Sequence, residues 1–378
     1  MKVTIERAAL LRALGHVHRV VERRTTIPIL ANVLIDAKDG ELLLKATDLD
    51  LEVSEKAGAQ VDQPGATTLP AHTLYDIVRK LPEGAQVSLQ TSGEQGQLTL
   101  QSGRSRFNLQ TLPESDFPDV TSGSFSHAFK LSPADLKRLI EKTQFAISTE
   151  ETRYYLNGIF MHVAELPGAE PSSVRALLRA VATDGHRLAR LELPAPAGAE
   201  GMPGVILPRK AVGEILRLLE DSPEEVSIEV SSNKMRFSFG AALLTTKLID
   251  GTFPDYSRVI PTGNDKRLIV ERDSFRSAVD RVSTISSERG RAVKLAVEPG
   301  RLVLSVSNPD QGMAVEELEA DYDASPIDIG FSSRYLLDIV DQLDSDTALF
   351  LMSDPGSPTL IQDRDGASAL YVLMPMRV

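Results

Sequence analysis

The chain has 378 residues, of which 25% are charged, a net charge of −12 at pH 7 and no cysteine. At about 100 to 200 residues per domain, this length predicts two or three domains. The lack of thiols excludes disulfides, thiolate metal sites and a cysteine nucleophile.

One supersecondary pattern occurs three times along the chain. A short strand precedes an apolar-periodic helix at residues 3–21, 129–140 and 268–282. The copies are roughly 125 to 140 residues apart, far beyond the period of solenoid repeats. We therefore predict an α+β protein with three similar domains at residues 1–124, 125–256 and 257–378. Each should pack two helices on antiparallel sheets.

The helices and strands follow from hydrophobic periodicity. Alternating stretches such as residues 86–90, 97–101 and 226–230 predict half-buried strands. Apolar residues at helical spacing predict six helices at about residues 6–22, 71–81, 133–146, 209–220, 272–284 and 333–343.

Basic residues cluster on the helices of this acidic chain. In the first helix Leu10 and Leu14 lie on one face, and Arg12 and Arg19 lie opposite them. A solvated helix face is the simpler interpretation for any one helix, and the acidic sixth helix argues against a general rule. Recurrence in several helices nevertheless favours a surface that contacts phosphates without sequence specificity.

The sequence shows neither a signal-peptide pattern at its start nor a membrane-spanning run. The first residues lack the apolar core of a signal peptide. No run approaches the ~18 apolar residues needed to span a bilayer. We therefore expect a cytoplasmic protein.

Four strings, at residues 153–158, 182–189, 250–256 and 374–378, make the chain recognisable. They read RYYLNG, ATDGHRLA, DGTFPDY and MPMRV, and they resemble the bacterial sliding clamps, the β subunits of DNA polymerase III. The resemblance covers the whole chain. It implies a head-to-tail homodimeric ring of six domains that encircles duplex DNA as a processivity factor, without catalysis or cofactor. Twelve helices about 10 Å across, side by side on a circle, leave an opening of roughly 28 Å.

The resemblance also implies a pocket for short peptides of DNA polymerase and clamp-loader subunits, with a glutamine and spaced hydrophobic residues, of the Gln-Leu-x-Leu-Phe type. The methionines around Pro375 suit an adaptable apolar groove, although the tail could instead simply complete the last strand. Four positions differ from residues common in the family: Gly290, Ser332, Gly356 and Pro358. The resemblance therefore does not predict which peptide sequence the pocket prefers. The matching positions are Leu156, Thr183, Gly185, His186, Arg187, Leu188, Pro254, Arg258, Val259, Tyr335, Val372, Leu373, Met374, Pro375, Met376, Arg377 and Val378.

Two further surfaces follow from the resemblance. DNA contacts are expected at Arg24, Arg153, Tyr154 and Tyr155, because arginine binds phosphates and tyrosine can stack on an exposed base. Glu150 stands where a neutral glutamine is usual and should weaken direct DNA binding. The subunit contact is expected between the first and third domains, at Arg104, Arg106, Phe107 and Leu109 on one side and Ile285, Glu316, Glu317 and Glu319 on the other.

Two other functions compete with this interpretation. Asp184 and His186 could hold a metal or act as general acid and base in an enzyme. However, two ligands this close are a weak metal signal, and the chain has no nucleophile elbow or phosphate loop. The second alternative is an acidic scaffold that binds peptides but never encircles DNA.

Overall fold

The computed structural model describes residues 1–91, 96–120, 123–167, 174–222, 224–286, 292–364 and 368–377. The α-helices are α1 (Arg7–Val17), α2 (Ala71–Lys80), α3 (Pro133–Gln144), α4 (Arg209–Glu220), α5 (Arg272–Ser283) and α6 (Ser333–Val340). The strands are β1 (Lys2–Glu6), β2 (Asn32–Lys38), β3 (Glu41–Thr47), β4 (Leu51–Gly58), β5 (Gln60–Gln63), β6 (Gly65–Pro70), β7 (Gln86–Thr91), β8 (Gln97–Ser102), β9 (Ser105–Gln110), β10 (His127–Leu131), β11 (Gly158–Pro167), β12 (Val174–Thr183), β13 (Arg187–Pro194), β14 (Val205–Pro208), β15 (Val226–Val230), β16 (Lys234–Phe239), β17 (Ala242–Lys247), β18 (Lys266–Glu271), β19 (Ala292–Glu298), β20 (Arg301–Asn308), β21 (Gly312–Glu319), β22 (Ile327–Ser332), β23 (Thr347–Met352), β24 (Thr359–Asp363) and β25 (Ala369–Leu373). In the part of the chain just described, no helix is long and apolar enough to cross a bilayer.

The chain folds into two compact units. The first comprises Met1–Pro133, Pro196–Pro203 and Gly213–Leu248. It contains a five-stranded sheet in the order β5-β1-β7-β8-β9 and an eight-stranded sheet in the order β10-β15-β16-β17-β4-β3-β2-β6. Strand β17 of the second repeat pairs antiparallel with β4 of the first. This pairing protects two strand edges that would otherwise expose their backbone hydrogen-bonding groups.

The second unit comprises Ala134–Ala195, Gly204–Val212 and Ile249–Val378. Its eight-stranded sheet has the order β14-β11-β12-β13-β25-β24-β23-β18, and its four-stranded sheet has the order β21-β20-β19-β22. Strand β13 of the second repeat pairs antiparallel with β25 of the third. Backbone hydrogen bonds therefore join neighbouring repeats inside both units.

The helices bury the apolar stripes that the sequence predicts. Helix α1 buries Leu10 and Leu14 and packs on β3 and β4, and α5 buries Phe275 and Val279 and packs on β20 and β21. Helices α1 and α2 contact each other, as do α5 and α6. The predicted α+β class, with helices packed on antiparallel sheets, is confirmed.

Helix α1 ends at Val17, well before the predicted end near residue 22. The N–H of His18 still donates to the carbonyl of Leu14, but the next bonds span only three residues, from Val20 to Val17 and from Val21 to His18. The ring of His18 stacks on Tyr75 of α2, with centroids 3.8 Å apart and an interplanar angle of 9°. Val20 and Val21 are buried as their apolar character suggests, but in turns. The hydrophobic pattern continues past the point where the backbone stops being helical.

A buried histidine fastens α1 to the second repeat. His16 Nδ1 faces the carboxylate of Glu55, and Nε2 lies 2.9 Å from Oδ2 of Asp221. Arg12 pairs with Glu55 at 3.3 Å, and Arg217 donates to the carbonyl of His16. Since both ring nitrogens face carboxylate oxygens, the ring carries both protons as an imidazolium.

This network should make stability depend on pH. Burial alone would lower the pKa of His16, but the hydrogen bonds and charges of Glu55 and Asp221 outweigh burial and raise it above 6.5. A raised folded-state pKa contributes stability that is complete below pH 6.5 and is lost as the pH rises through the folded value. His16→Gln should therefore lower the free energy of unfolding by about 1.5–3 kcal/mol at pH 6, and by less at pH 9.

Urea unfolding at the two pH values measures this difference. His127→Gln is the matched control, because His127 is hydrogen-bonded to the neighbouring Ser126 hydroxyl rather than to a carboxylate. An equal effect of His16→Gln at pH 6 and pH 9 would show that the ring is neutral in the folded protein.

Candidate functional site

An apolar pocket of about 170 Å³ opens on the second unit. Strands β13 and β25 form one wall, where Leu188 and Val372 lie opposite each other in register. The 3₁₀ turn Tyr256–Val259 forms another wall. The lining residues are Leu156, Thr183, Gly185, His186, Arg187, Leu188, Pro254, Asp255, Tyr256, Val259, Val372 and Met374.

The floor of the pocket belongs to a continuous hydrophobic core. Leu156, Leu188, Tyr256 and Val372 line the pocket and also pack in one buried cluster with Phe253. By contrast, Val259 and Met374 at the rim are 47% and 40% exposed. A fixed apolar floor under a partly exposed rim suits the burial of apolar side chains from a ligand.

Arg187 holds the pocket together but offers no free charge to a ligand. Its side chain is 6% exposed. The guanidinium donates to the Asp184 carboxylate at 3.2 Å, to the Asp338 carboxylate at 2.5 Å and to the Phe145 carbonyl at 2.7 Å. Its carbon also lies 4.2 Å from the ring centroid of Tyr335. Each of the three guanidinium nitrogens of Arg187 thus donates to a residue beside the pocket, and Arg187 fastens the loops around it.

Tyr335 lies beside the apolar pocket. It lines a second, polar cavity of about 410 Å³, which shares His186 and Arg187 with the first. The rings of His186 and Tyr335 are stacked with centroids 6.2 Å apart. Tyr335 thus supports the pocket through its two neighbours.

The C-terminal segment, residues 374–377, runs along the pocket edge. The N–H of Met374 donates to the carbonyl of His186, and the N–H of Met376 donates to the carbonyl of Gly330. Leu373 is fully buried and can support the pocket only from behind. Arg258, Pro375, Met376 and Arg377 are not among the lining residues, and Val378 and Gly290 lie outside the described residues.

Two lining residues, Asp255 and Tyr256, are absent from the predicted set. Both follow Pro254 in the string at residues 250–256 that carries the resemblance. Asp255 also caps the 3₁₀ turn by accepting from the N–H of Ser257. Their place in this string could have predicted that both residues line the pocket.

The turn before β13 is built by its own side chains. The Thr183 hydroxyl donates to the carbonyl of Arg187 at 2.7 Å, and Oδ1 of Asp184 accepts from the N–H groups of His186 and Arg187. The N–H of Gly185 donates to the Thr183 hydroxyl at 3.1 Å. Asp184 is thereby committed to holding the backbone.

The matching turn of the first repeat has the same hydrogen bonds. The Thr47 hydroxyl donates to the carbonyl of Leu51, and Oδ1 of Asp48 accepts from the N–H groups of Asp50 and Leu51. Asp50 occupies the place of His186, so the turn needs no histidine. This recurrence makes the Asp-Gly-His string a structural turn and removes the basis of the enzyme interpretation. Among the described residues, no group of three or more His, Cys, Asp and Glu side chains could hold a metal ion.

The residues expected to contact DNA lie on exposed turns. Arg24 is exposed, and Tyr154 is 54% exposed with its ring edge-on to Tyr155, at a centroid distance of 5.7 Å. Arg153 is bound by Glu150 through two hydrogen bonds of 2.8 Å. The charge of Arg153 is therefore largely neutralised before any phosphate approaches.

Glu150→Gln should strengthen direct binding of duplex DNA. The substitution removes a negative charge and releases the Arg153 guanidinium from a bidentate pair. Exposed pairs of this kind are worth about 0.2–1 kcal/mol, so we expect about a two- to fivefold gain in affinity at low salt. Fluorescence anisotropy with a labelled duplex measures it. Glu151→Gln, with the same charge change at the next position, is the control, and an equal gain in both variants would contradict a specific role of Glu150.

Most residues expected at the subunit contact lie on two sheet edges, and Ile285 lies in the turn after α5. Arg106, Phe107 and Leu109 lie on β9, the last strand of the five-stranded sheet, and Arg104 lies in the turn before it. The other edge is β21, the last strand of the four-stranded sheet.

Strand β21 carries an acidic row beside exposed apolar side chains. Glu316 pairs with Arg281, and Glu317 pairs with Arg301 at 2.8 Å. Met313 and Val315, which were not predicted, are 70% and 54% exposed. Side chains alternate between the two faces of a strand, and Met313 and Val315 lie four and two residues before Glu317. This spacing could have predicted that they share the face of Glu317. Glu319 is exposed, and Ile285 is partly buried.

Comparison with known proteins covers the entire chain. Residues 1–121 match the N-terminal domain of the DNA polymerase III beta subunit, residues 130–255 its central domain and residues 257–377 its C-terminal domain. The beta sliding clamp of Caulobacter vibrioides is 57% identical over 378 residues, and that of Escherichia coli K12 is 41% identical over 381 residues, each covering 100% of both chains. The sliding clamp of Bartonella birtlesii bound to griselimycin is 55% identical, with a TM-score of 0.95 and 100% of both chains covered. The chain belongs to the family of DNA polymerase III beta subunits, the bacterial sliding clamps.

Proposed function

We propose that this protein is a DNA sliding clamp. As a homodimeric ring it encircles duplex DNA in the cytoplasm without sequence specificity. It tethers DNA polymerase, clamp-loader subunits and other replication and repair proteins, and it performs no catalysis and needs no cofactor. The full-length agreement with beta sliding clamps, domain by domain, carries the proposal.

The pocket supports the tethering role. Its floor of Leu156, Leu188 and Val372 can bury two apolar side chains of a short peptide, and Met374 can adapt its flexible side chain to different partners. Burying two such side chains fully offers about 3 to 6 kcal/mol before ordering costs, which by itself gives a dissociation constant no tighter than tens of micromolar. Exchange of partners on one pocket requires binding of that moderate strength.

The two open edges support the ring. Strand β9 and the turn before it offer Arg106 and Arg104, and β21 offers glutamates, so that a backbone pairing between the two strands would join opposite charges. In a head-to-tail dimer each subunit contributes β9 to one contact and β21 to the other. The domains would then be residues 1–124, 125–256 and 257–378.

The charge of the chain fits retention by topology. A net charge of −12 disfavours tight binding to a polyanion. A closed ring needs only a few weak phosphate contacts, because it cannot leave a duplex without free ends. Arg24 and the turn of Arg153, Tyr154 and Tyr155 would provide such contacts.

Retention on circular and linear DNA tests the proposal. The protein is loaded on nicked circular duplex by its clamp loader, washed in high salt to remove direct contacts, and half of the sample is then cut once with a restriction enzyme. We expect retention on the circles and nearly complete release from the linear DNA. Blocking both ends of the linear DNA with bound proteins should restore retention. Equal release from circles and open linear DNA would favour the acidic scaffold instead.

A further inference from the structure

The wall of the pocket at Tyr256 is held from behind by a polar network. Tyr256 is 8% exposed and lines the pocket. Its hydroxyl lies 2.9 Å from Nε2 of His162 and 3.4 Å from Nη1 of Arg179. The ring of His162 is stacked on Phe160, with centroids 4.9 Å apart. Tyr256 is the first residue of the turn that carries Val259 to the rim, so its position sets that side of the pocket.

The protons in this network can be placed from the chemistry of the groups. A guanidinium can only donate, so the Tyr256 oxygen accepts from Arg179. The Tyr256 hydroxyl hydrogen is then free to donate to His162, and in this arrangement Nε2 is the acceptor. His162 is therefore neutral, with its proton on Nδ1.

The surrounding charges keep His162 neutral. His162, Arg179 and Glu192 lie abreast on β11, β12 and β13. Glu192 accepts from Arg179 at 3.0 Å and lies 3.5 Å from Arg190, so one carboxylate serves two guanidinium groups. Nε of Arg190 is buried with no hydrogen-bond partner among the described residues. Burial lowers the pKa of His162, and the charges of Arg179 and Arg190 lower it further, against a hydrogen bond with the backbone of Val163.

Protonation of His162 would break the network. Nε2 would become a donor, so the Tyr256 oxygen would face two donors while its own hydrogen lost its acceptor in a buried site. A third cation would also share the single carboxylate of Glu192. Both effects push Tyr256 away from His162 and disturb the pocket wall.

We propose that His162 and Arg179 are positioning residues of the pocket, and that protonation of His162 releases Tyr256 and weakens peptide binding as the pH falls. This inference rests on the proposed function, since it assigns a pH response to the same peptide pocket. The ligand of the pocket is a peptide of the Gln-Leu-x-Leu-Phe type. The clamp would therefore bind its partners more weakly at acid pH.

Peptide affinity as a function of pH tests the inference on the full-length protein. A fluorescein-labelled Gln-Leu-x-Leu-Phe peptide is titrated between pH 5.5 and pH 8. We expect the wild-type dissociation constant to rise as the pH falls, with the largest change at the acid end of this range, because the pKa of His162 lies below its usual 6.5. His162→Gln keeps an acceptor for Tyr256 but cannot be protonated, so its dissociation constant should not change between pH 5.5 and pH 8. Tyr256→Phe should bind more weakly at pH 8 and show no pH response.

His186 is the matched control, because it is a second histidine at the same pocket and lines it directly. If His186→Gln abolishes the pH response and His162→Gln keeps it, the inference is wrong. A wild-type affinity equal at pH 5.5 and pH 8 overturns it as well. Absence of peptide binding at every pH would instead refute the proposed pocket. The histidine ¹⁵N shifts in NMR add a readout of structure, since His162 should show a protonated Nδ1 and an unprotonated Nε2 at pH 8 in wild type, and lose this signature in Tyr256→Phe.

Discussion

Deletion of residues 374–378 is expected to abolish binding of a Gln-Leu-x-Leu-Phe peptide while the rest of the fold stays intact. Met374 forms part of the pocket wall, and its N–H holds the carbonyl of His186. The deletion therefore removes one apolar wall and releases the turn that forms another. Loss of one buried apolar contact costs about 1.5–3 kcal/mol, which moves a micromolar dissociation constant ten- to hundredfold towards the millimolar range.

Titration calorimetry on the intact and truncated proteins measures the loss. Two point variants distinguish a role of the C-terminal segment in the pocket from a role in completing the sheet. Met374 and Met376 are 40% and 39% exposed, and each makes one backbone hydrogen bond, but only Met374 lines the pocket. Met374→Ala should weaken binding about tenfold, whereas Met376→Ala should change it little. If truncation leaves the affinity unchanged, the tail only completes the sheet.

The repeat and its turns could be predicted from the sequence because they depend on local chemistry. Thr47-Asp48 in the first repeat and Thr183-Asp184 in the second build the same hydrogen-bonded turn. In each, the threonine hydroxyl and the aspartate carboxylate form hydrogen bonds with backbone groups within four residues. The helix cores follow for the same reason, since period 3.6 places apolar side chains on one face.

Features that depend on distant residues could not be predicted in this way. The early end of α1 arises where His18 stacks on Tyr75, a residue far away in the sequence. The imidazolium of His16 depends on Glu55 and Asp221, and nothing in the sequence around any of the three predicts that they meet. Tertiary contacts of this kind override local propensity.

The candidate site shows the same division. The resemblance brought together ten of the lining positions, from Leu156 to Met374, but it said nothing about the polar network behind them. His162 and Arg179 meet only because β11 and β12 pair in one register, and that register places them opposite each other. A residue that positions another side chain belongs to no recognisable sequence motif. His162 and Arg179 can therefore be identified only from the pairing of the strands.

Reversal of Arg104 and Arg106 to glutamate is expected to convert the proposed dimer to monomer. These side chains lie at β9, and the proposed partner strand β21 carries Glu316, Glu317 and Glu319. The double variant would set two new negative charges against an acidic row at both contacts of a ring. Like charges brought together in an interface cost several kcal/mol, which corresponds to a loss of at least about 100-fold in dimer affinity.

Light scattering or sedimentation at micromolar concentration distinguishes the two states. A control with the same change in net charge is the double substitution of Lys38 and Lys56 by glutamate. Both lysines are exposed, on β2 and β4 of the eight-stranded sheet in the first unit. This control should remain a dimer. Monomer formation in both double variants would point to general charge repulsion rather than to a contact through β9.

A mixing experiment then decides whether the contact is head-to-tail. The opposite variant, Glu317→Arg with Glu319→Arg, should also be a monomer, because its β21 now faces the arginines of β9. An equimolar mixture of the two variants should recover the dimer. In a mixed ring one contact joins glutamates on β9 to arginines on β21, and the other contact is wild type. If β9 instead paired with a second copy of β9, the β21 variant alone would stay a dimer, and the head-to-tail ring would be wrong.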